Sequence, residues 1–411
     1  MLKGDACPRT CKGILGWIID TIRGTLELPP HRIARLNEIF EYLHGRTRVN
    51  IKRWHRILGE LRSLAIGIPG CRGLFGALQY GFRHTDKQRI NLNVDIQNAL
   101  LDFKWLADDL GSRPTSIAEL VPDHPVAIGP HDASGFAMGG CWLPAVNGST
   151  ITPTLWRCCF PSEVAASLIT DNNPNGMITN SDLELAGQIA HLDVFSQRFQ
   201  CAGRTVVPLG DNISSVSWSH KGSTTTLGPT GYLLRLLSLH QRHFRYLSKA
   251  DYISGPANRM ADDLSRLIHL PDAALLTHFN VTYPQDLPWT IAPLRPEMLS
   301  LLTSALQKKR GSIPLLLNAP NQKTITGASG RLTVKHSVLT PTFQGSNQSY
   351  LFSRFSPQDY EEVTSIPADN LSKLGAWRTT YAPSARRSPA WGPTPTPALA
   401  STVCMSSSNN N

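Results

Sequence analysis

Four acidic residues stand where their side chains could converge on one point. Asp132 follows a short apolar run and begins an Asp-Ala-Ser-Gly turn, in which small residues allow close backbone approach. Asp211 follows a second apolar run. Glu184 falls in the first turn of a predicted helix, and Asp262 begins another. If the two strands are neighbours in one sheet, the four carboxylates would face each other.

Such a cluster calls for a cation, because crowded like charges raise one another's pKa unless something neutralises them. Oxygen ligands with no nearby His or Cys favour Mg²⁺ or Mn²⁺ over zinc. Two ions about 3.5 to 4 Å apart would activate a water and stabilise the leaving oxygen of a phosphodiester. One such acid alone is more simply an N-cap or a surface charge. The ordered set predicts a site for two Mg²⁺ ions, with Mn²⁺ as a substitute.

The elements that would position these residues alternate between strand-like and helix-like stretches over residues 116–275, which predicts an α/β domain. The apolar run at 125–129 precedes Asp132, and residues 138–143 follow closely enough to be the return strand of a hairpin. Asn180 offers an N-cap for the helix that carries Glu184.

Two further strands and a helix complete the predicted domain. The run at 205–209 ends just before Asp211, and Pro208 weakens this strand or confines it to an edge or a bulge. Residues 244–253 are predicted as another strand and residues 260–268 as the final helix.

The first 115 residues are predicted to be helical and basic. Apolar residues recur at helical spacing over 33–43 and 54–64. The basic side chains expected on the outer face, and the candidate contacts to nucleic acid there, are Arg46, Arg48, Lys52, Arg53 and Arg56. A solvated charged face and a face that follows nucleic-acid phosphates both fit this pattern.

Other polar and aromatic residues divide into candidates and packing residues. Lys221 is a further candidate for phosphate contact. Trp142 and Trp156 are expected to pack inside the domain. His240 lies in a leucine-rich helix and is expected at its surface.

Composition sets the broad class of protein. The 411 residues carry a net charge of +10, and no apolar run reaches the roughly 18 residues of a membrane span. We therefore expect a soluble, intracellular protein, cytoplasmic or nuclear. Residues 1–115 carry a net charge of +7, residues 116–275 a net charge of −3 and residues 276–411 a net charge of +6. The eight cysteines lack zinc spacing and are expected to be reduced.

At the four acidic positions the sequence resembles the ribonuclease H domain of retroelement polyproteins, in the DIRS-like form attached to a reverse transcriptase in elements that encode a tyrosine recombinase. The order Asp132, Glu184, Asp211, Asp262 is similar to that family's metal-binding set. The segment from Asn258 to Arg266 (Asn-Arg-Met-Ala-Asp-Asp-Leu-Ser-Arg) resembles its closing motif.

The resemblance extends upstream. Residues 13–20 and 26–32 resemble the end of a reverse transcriptase palm entering its thumb, and residues 54–63 resemble the thumb and connection helices. No polymerase Asp-Asp hairpin is present, since Asp108-Asp109 and Asp262-Asp263 stand in helical contexts. We therefore expect no polymerase activity from this chain alone, and a polymerase palm in another chain is a candidate partner.

The resemblance implies a fold and a domain order. The fold is α/β, with a ribonuclease H-like mixed sheet flanked by helices. Residues 1–115 would be a helical thumb/connection region and residues 116–275 the ribonuclease H-like domain. Residues 276–411 would be a helical linker followed by a basic tail, rich in Ser, Thr, Pro and Asn, that is expected to be disordered.

The implied activity is Mg²⁺-dependent cleavage of the RNA strand of an RNA/DNA hybrid. Asn212 and Asn258 would contact nucleic acid, and Asn258 stands where cellular relatives have a histidine. Gly139, Asn212 and Ser214 are positional guesses for contacts to the 2′-OH, the group that distinguishes RNA from DNA. Two alternatives stay open: a catalytically inactive, nucleic-acid-binding remnant of a truncated reading frame, and a ribonuclease H-fold nuclease that acts on DNA.

Overall fold

A computed structural model of the chain describes residues 10–83, 88–145, 151–224 and 228–311. The tail predicted beyond residue 312 lies outside the described residues. The elements of the first 116 residues are, in chain order, β1 Cys11–Ile14, β2 Trp17–Asp20, β3 Thr25–Glu27, α1 Pro30–Leu43, β4 Arg48–Asn50, α2 Ile51–Ala65, α3 Phe75–Arg83, β5 Arg89–Asn91, α4 Val94–Ser112 and β6 Thr115–Ser116.

The later elements form the part of the fold that carries the acidic residues. They are β7 Pro125–Ala133, β8 Ala137–Pro144, β9 Thr154–Cys159, α5 Ser162–Ala166, α6 Asn180–Arg198, β10 Thr205–Gly210, α7 Ile213–Lys221, α8 Pro229–Phe244, β11 Leu247–Ser248, β12 Asp251–Tyr252, α9 Arg259–Arg266, α10 Asp272–Thr282, β13 Thr290–Ile291 and α11 Pro296–Leu306. None of the described helices is both long enough and apolar enough to cross a membrane.

The two predicted amphipathic helices are confirmed as α1 and α2. Every apolar residue that defined the α2 pattern is buried, from Trp54 to Leu64. Helix α2 begins where the side chain of Asn50 accepts a hydrogen bond from the backbone N–H of Lys52. Strands β4 and β5 pair antiparallel beside it. A separate antiparallel sheet has the order β1-β2-β3-β6.

The main sheet is mixed, with the order β11-β10-β7-β8-β9-β13 and with β12 also paired to β10. Strands β7, β8 and β9 are antiparallel, which confirms the predicted hairpin, and β10 runs parallel to β7. Successive residues of β8 point to opposite faces, since Trp142 packs in the core that contains α6 whereas Cys141 packs with Leu264 and Phe279. Helices therefore cover both faces, as expected of a ribonuclease H-like sheet.

Strand β10 lies inside the sheet, although Pro208 suggested an edge. The carbonyls of Val206 and Gly210 accept hydrogen bonds from residues on the β11–β12 side. Pro208 has the same orientation and therefore faces the break between β11 and β12, where no ladder bond is lost. A register shift, the predicted bulge, lies at the start of the strand instead.

The same break corrects the predicted strand at 244–253. Helix α8 continues to Phe244, Arg245 adopts a left-handed conformation, and only the short strands β11 and β12 follow. Pro208 on the neighbouring strand offers no N–H at this point, and the ladder is interrupted there between β11 and β12.

Two helix predictions also need correction. The N-cap of α6 is Thr179, which forms a capping box with Asp182, rather than Asn180. Helix α9 is not the last helix to begin within residues 116–275, because α10 begins at Asp272. Helix α10 crosses the predicted domain limit at residue 275, and β13 beyond it pairs with β9.

Candidate metal centre

Neighbouring strand ends bring the first two acidic residues together. Asp132 lies near the end of β7, and Asp211 immediately follows β10. Because β7 and β10 are parallel neighbours, their carboxyl ends meet at the same edge of the sheet. Helix α6 packs against both strands and supplies Glu184 from its second turn, one turn later than predicted.

Three of the four predicted ligands form one cluster. One carboxylate oxygen from each of Asp132, Glu184 and Asp211 lies within 4.8 Å of the others. Across the described ranges, this is the one group of three or more His, Cys, Asp or Glu residues with such geometry. Glu184 is 6% exposed, and its Oε2 atom is buried without a hydrogen-bond partner. A buried carboxylate oxygen without a donor is the kind of atom that a cation satisfies.

The electrostatics of this carboxylate cluster are unfavourable without a cation. Burial, and then the charges of Asp132 and Asp211, raise the pKa of Glu184 to about 9. Burial and the charge of Asp132 also raise the pKa of Asp211, against a hydrogen bond from Asn258 that lowers it. Among the described residues, no Lys, Arg or His forms an ion pair with any of the three.

The fourth predicted ligand, Asp262, stands beside the cluster rather than in it. Its carboxylate pairs with the Arg266 guanidinium at 2.6 Å, one turn along α9. Burial raises the pKa of Asp262; Arg266 opposes this rise, and the charge of Asp132 adds to it. The pair is partly exposed, so Asp262 can leave Arg266 at low cost.

Segment 255–266 also contacts the other acidic residues. Ser265 Oγ donates a hydrogen bond to Asp132 Oδ2 at 2.5 Å. The Asn258 amide donates to the His131 carbonyl at 3.1 Å and hydrogen-bonds Asp211. Asn258 was predicted to contact nucleic acid. Its side chain is only 1% exposed, so it orients the site and does not face solvent.

The donor set fits a hard divalent cation. All three ligand groups are carboxylates, and Glu184 Oε2 is an orphaned acceptor. Mg²⁺ and Mn²⁺ prefer such oxygen ligands, whereas zinc prefers His and Cys. These three carboxylates could together hold one such ion.

The predicted basic residues are here called the basic face, defined as Arg46, Arg48, Lys52, Arg53 and Arg56. All are exposed except Arg53, which is half-buried. None pairs with a carboxylate of the described residues. Arg46 and Arg53 lie over the Tyr42 ring, 4.2 and 4.7 Å from its centroid. These contacts hold two guanidinium groups in place without neutralising them.

The other predicted contacts differ in accessibility. Lys221 and Ser214 are exposed on α7. The Asn212 side chain caps that helix by accepting a hydrogen bond from the Ser215 N–H. Gly139 is buried under α9, because a Cβ atom on it would lie 2.7 Å from Leu264 Cβ. Gly139 therefore serves helix packing and is not available for a 2′-OH contact.

Several buried aromatic residues behave as the sequence suggested, but one histidine does not. Trp142 and Trp156 are fully buried, and both donate indole N–H bonds to His191. His240, predicted at the helix surface, is 0% exposed and bonds Asp193 and Tyr246.

Sequence reasoning missed two polar residues that the fold brings into position. Ser265 follows Asp262 by three residues, a spacing that places both on one helix face and could have identified it. Arg89 on β5 is exposed on the same side of the β4–β5 pair as Arg48, since Val49 and Ile90 are buried on the other. Only the pairing of distant strands reveals Arg89.

Comparisons with known proteins add little. No family model and no curated protein matches the chain. Solved structures that are similar include the foamy viral protease-reverse transcriptase in complex with RNA/DNA hybrid, at 12% identity and a TM-score of 0.25 over 70% of this chain and 32% of that one. The same protein in complex with dsDNA is 12% identical, with 60% of this chain and 45% of that chain covered and a TM-score of 0.25. Its dRH form in complex with dsDNA is 11% identical, with 60% of this chain and 38% of that chain covered and a TM-score of 0.25.

The chain thus spans less than half the length of each of these similar structures. Likeness at this level does not define a function.

Proposed function

We propose that this chain is a Mg²⁺-dependent ribonuclease H that cleaves the RNA strand of RNA/DNA hybrids as part of a retroelement reverse transcriptase. The observation that carries the proposal is the cluster of Asp132, Glu184 and Asp211 at the edge of a ribonuclease H-like sheet. The three acids lie within 4.8 Å, have no cationic partner among the described residues and leave one buried oxygen unsatisfied.

The chemistry follows from the residues that hold the ions. When bound, two Mg²⁺ ions would activate water and stabilise the leaving oxygen of the phosphodiester. Asp132, Glu184 and Asp211 would bind the first ion, and Asp262 would complete the site for the second after leaving Arg266. The partial burial of the cluster limits competing water around these charges.

The basic face would hold the hybrid through its phosphates. Five cationic side chains that have no carboxylate partner within the described ranges, with Arg89 beside them, suit a polyanion. Lys221 would add a phosphate contact from α7. In this proposal residues 1–115 hold the duplex and residues 116–275, with β13, carry the cleavage site.

The decisive experiment is cleavage of a labelled RNA/DNA hybrid by the full chain in Mg²⁺ and then in Mn²⁺. We expect metal-dependent cutting of the RNA strand, reduced more than about 100-fold in Asp132→Asn and in Asp211→Asn. Removing a metal ligand should reduce activity by more than the roughly 10- to 100-fold that is typical when a residue hydrogen-bonded to a ligand is removed. Asp171→Asn, an exposed loop residue, is the matched control and should cut normally.

Hybrid binding without cutting in either metal would contradict the enzyme proposal and favour the nucleic-acid-binding remnant. Cutting of duplex DNA in preference to the hybrid would favour a DNA nuclease of the same fold. Arg53→Ala tests the basic face, since loss of one phosphate contact should reduce the slope of log affinity against log salt by about 0.9. Arg35→Ala, whose guanidinium pairs with Glu38, is its control.

A further inference from the structure

We infer that Ser265 is a positioning residue of the metal centre, which fixes the Asp132 carboxylate so that its free oxygen faces the cation. The inference deepens the proposed function and rests on its metal site. Ser265 acts through a ligand, because its hydroxyl donates a hydrogen bond to Asp132.

The hydrogen bond itself is the first argument. Ser265 is 2% exposed, and its Oγ lies 2.5 Å from Asp132 Oδ2 and 3.1 Å from the Asp262 carbonyl. A hydroxyl has one proton, and its charge-assisted bond to the carboxylate is the shorter one. Oδ2 is thereby held, and Asp132 Oδ1, which this bond does not use, keeps both of its lone pairs for a metal ion. Groups that orient ligands in this way are a regular part of metal sites.

The packing of α9 is the second argument. Asp132 on β7 pairs with Gly139 on β8, and Leu264 lies directly over Gly139. Any side chain at Gly139 would collide with Leu264, because even a Cβ atom would lie 2.7 Å from Leu264 Cβ and 2.9 Å from its carbonyl carbon. The glycine therefore allows α9 to approach the sheet closely enough for Ser265 to reach Asp132.

The position of Ser265 within α9 is the third argument. Asp262 and Ser265 are three residues apart and share a helix face. One short helix thus presents a carboxylate for a second ion and a hydroxyl for the ligand of the first. A shift of α9 would move both groups together, so the orientation of Asp132 is coupled to the placement of Asp262.

The test is calorimetric titration of Mg²⁺, and separately of Mn²⁺, into the full chain without nucleic acid. Ser265→Ala should weaken metal binding about 10- to 100-fold, the usual cost of removing a group behind a ligand. Ser265→Thr keeps the hydroxyl and should restore binding to within a few-fold. Ser196→Ala is the matched control, because Ser196 is also buried in a helix and its Oγ donates to the carbonyl three residues earlier.

A second variant guards against misfolding. Ser265→Cys keeps the shape of the side chain but donates only weakly, so it should weaken metal binding even if Ser265→Ala is unstable. In cleavage assays, the Mg²⁺ concentration for half-maximal rate should rise in step with the dissociation constant, while the rate at saturating Mg²⁺ changes less. A merely structural role would lower the melting temperature without moving this Mg²⁺ dependence.

The outcomes separate this inference from the proposed function. Metal binding unchanged in Ser265→Ala and Ser265→Cys, or weakened equally in Ser196→Ala, would overturn the role of Ser265 even if the wild type cuts the hybrid. A wild type that binds Mg²⁺ in a Ser265-dependent way but cuts no hybrid would support Ser265 and overturn the nuclease. A wild type that binds neither ion would overturn both.

Discussion

The molecule contains two kinds of buried acidic site, and they differ in what neutralises them. In the carboxylate cluster, Asp132, Glu184 and Asp211 have no cationic partner among the described residues. Of the other buried acids that the structure describes, Asp182 accepts hydrogen bonds from Thr179 and Thr230, and the rest have cationic partners. Asp102 binds Arg235 and Arg310, at 2.6 and 2.7 Å.

The same arrangement recurs at three more buried or nearly buried acids. Glu119 and Asp109 share Arg242, at 3.4 and 2.7 Å respectively. Asp193 binds His240 and Arg295, and all three residues are buried. Among the described residues, each of these structural carboxylates therefore has either a cationic partner or, at Asp182, hydroxyl donors. The carboxylate cluster has no cation among the described residues and leaves Glu184 Oε2 without a donor, an arrangement that suits a metal ion.

The largest expected effect is on stability at the arginine-paired sites. Asp193→Asn should lower the free energy of unfolding by about 3 to 5 kcal/mol, because it leaves Arg295 buried and uncompensated. Asp211→Asn should cost far less, since it relieves repulsion in the cluster. Urea denaturation of both variants measures the difference.

The control for this comparison is Asp272→Asn. Asp272 is exposed where it pairs with Arg157, so this substitution should lower the free energy of unfolding by no more than about 1 kcal/mol. Equal losses for Asp193→Asn and Asp211→Asn would contradict the distinction between the two kinds of site.

The pH dependence of the free energy of unfolding should have opposite signs for Asp193 and for Glu184. Burial acts to raise the pKa of Asp193, but the bonds from His240 and Arg295 hold it below its ordinary value. Its contribution to stability is present above the unfolded pKa and is lost in acid. Glu184 is the reverse, because its pKa is raised to about 9 from 4.5. Without metal, stability should therefore fall as pH rises from 4.5 towards 9.

The sequence was a good guide to the strands and helices that carry the site. The hairpin of β7 and β8, the strand before Asp211 and the helix with Glu184 all follow from local apolar patterns and turn residues. The sequence could not show which acids would be neutralised, because the partners of Asp193 lie 47 and 102 residues away. Nothing in the local context of Asp193 distinguishes it from Glu184, nine residues earlier on the same helix.

Asn258 illustrates a second limit. An Asn at the start of a helix is ordinarily an N-cap, but here its side chain makes no capping bond to α9 and turns to the His131 carbonyl and Asp211 instead. The choice between these roles depends on strands more than 40 residues upstream. Local propensity cannot contain that information.

The next effect in size is stabilisation by metal. Mg²⁺ at 100 times its dissociation constant should stabilise the wild type by about 2.7 kcal/mol. Because Glu184 must lose its proton to bind the ion, the stabilisation should be larger at pH 8.5 than at pH 6, as follows from its pKa of about 9. Thermal unfolding with and without Mg²⁺ at both pH values measures it.

Glu184→Gln sharpens this experiment, since it removes the titrating group but keeps the shape. The metal-free variant should lose the decline in stability above pH 4.5 and gain little from Mg²⁺. A Mg²⁺ effect that is independent of pH and survives in Glu184→Gln would place the ion elsewhere in the protein.

The smallest expected effect concerns Arg266, which pairs with the predicted ligand Asp262. Its pair with Asp262 at 2.6 Å is partly exposed, unlike the pairs of Asp102 and Asp193, so breaking it should cost no more than about 1 kcal/mol. Arg266→Gln should therefore lower the Mg²⁺ concentration needed for half-maximal cleavage, by about 5-fold at most, because Asp262 no longer has to leave a cation before it binds a metal ion. Arg259→Gln, on the same helix, is a control for loss of charge. A higher Mg²⁺ requirement in Arg266→Gln would mean that Arg266 holds Asp262 in its working position. Asp262 would then belong to both kinds of acidic site, because it would need its arginine partner in order to bind the metal ion.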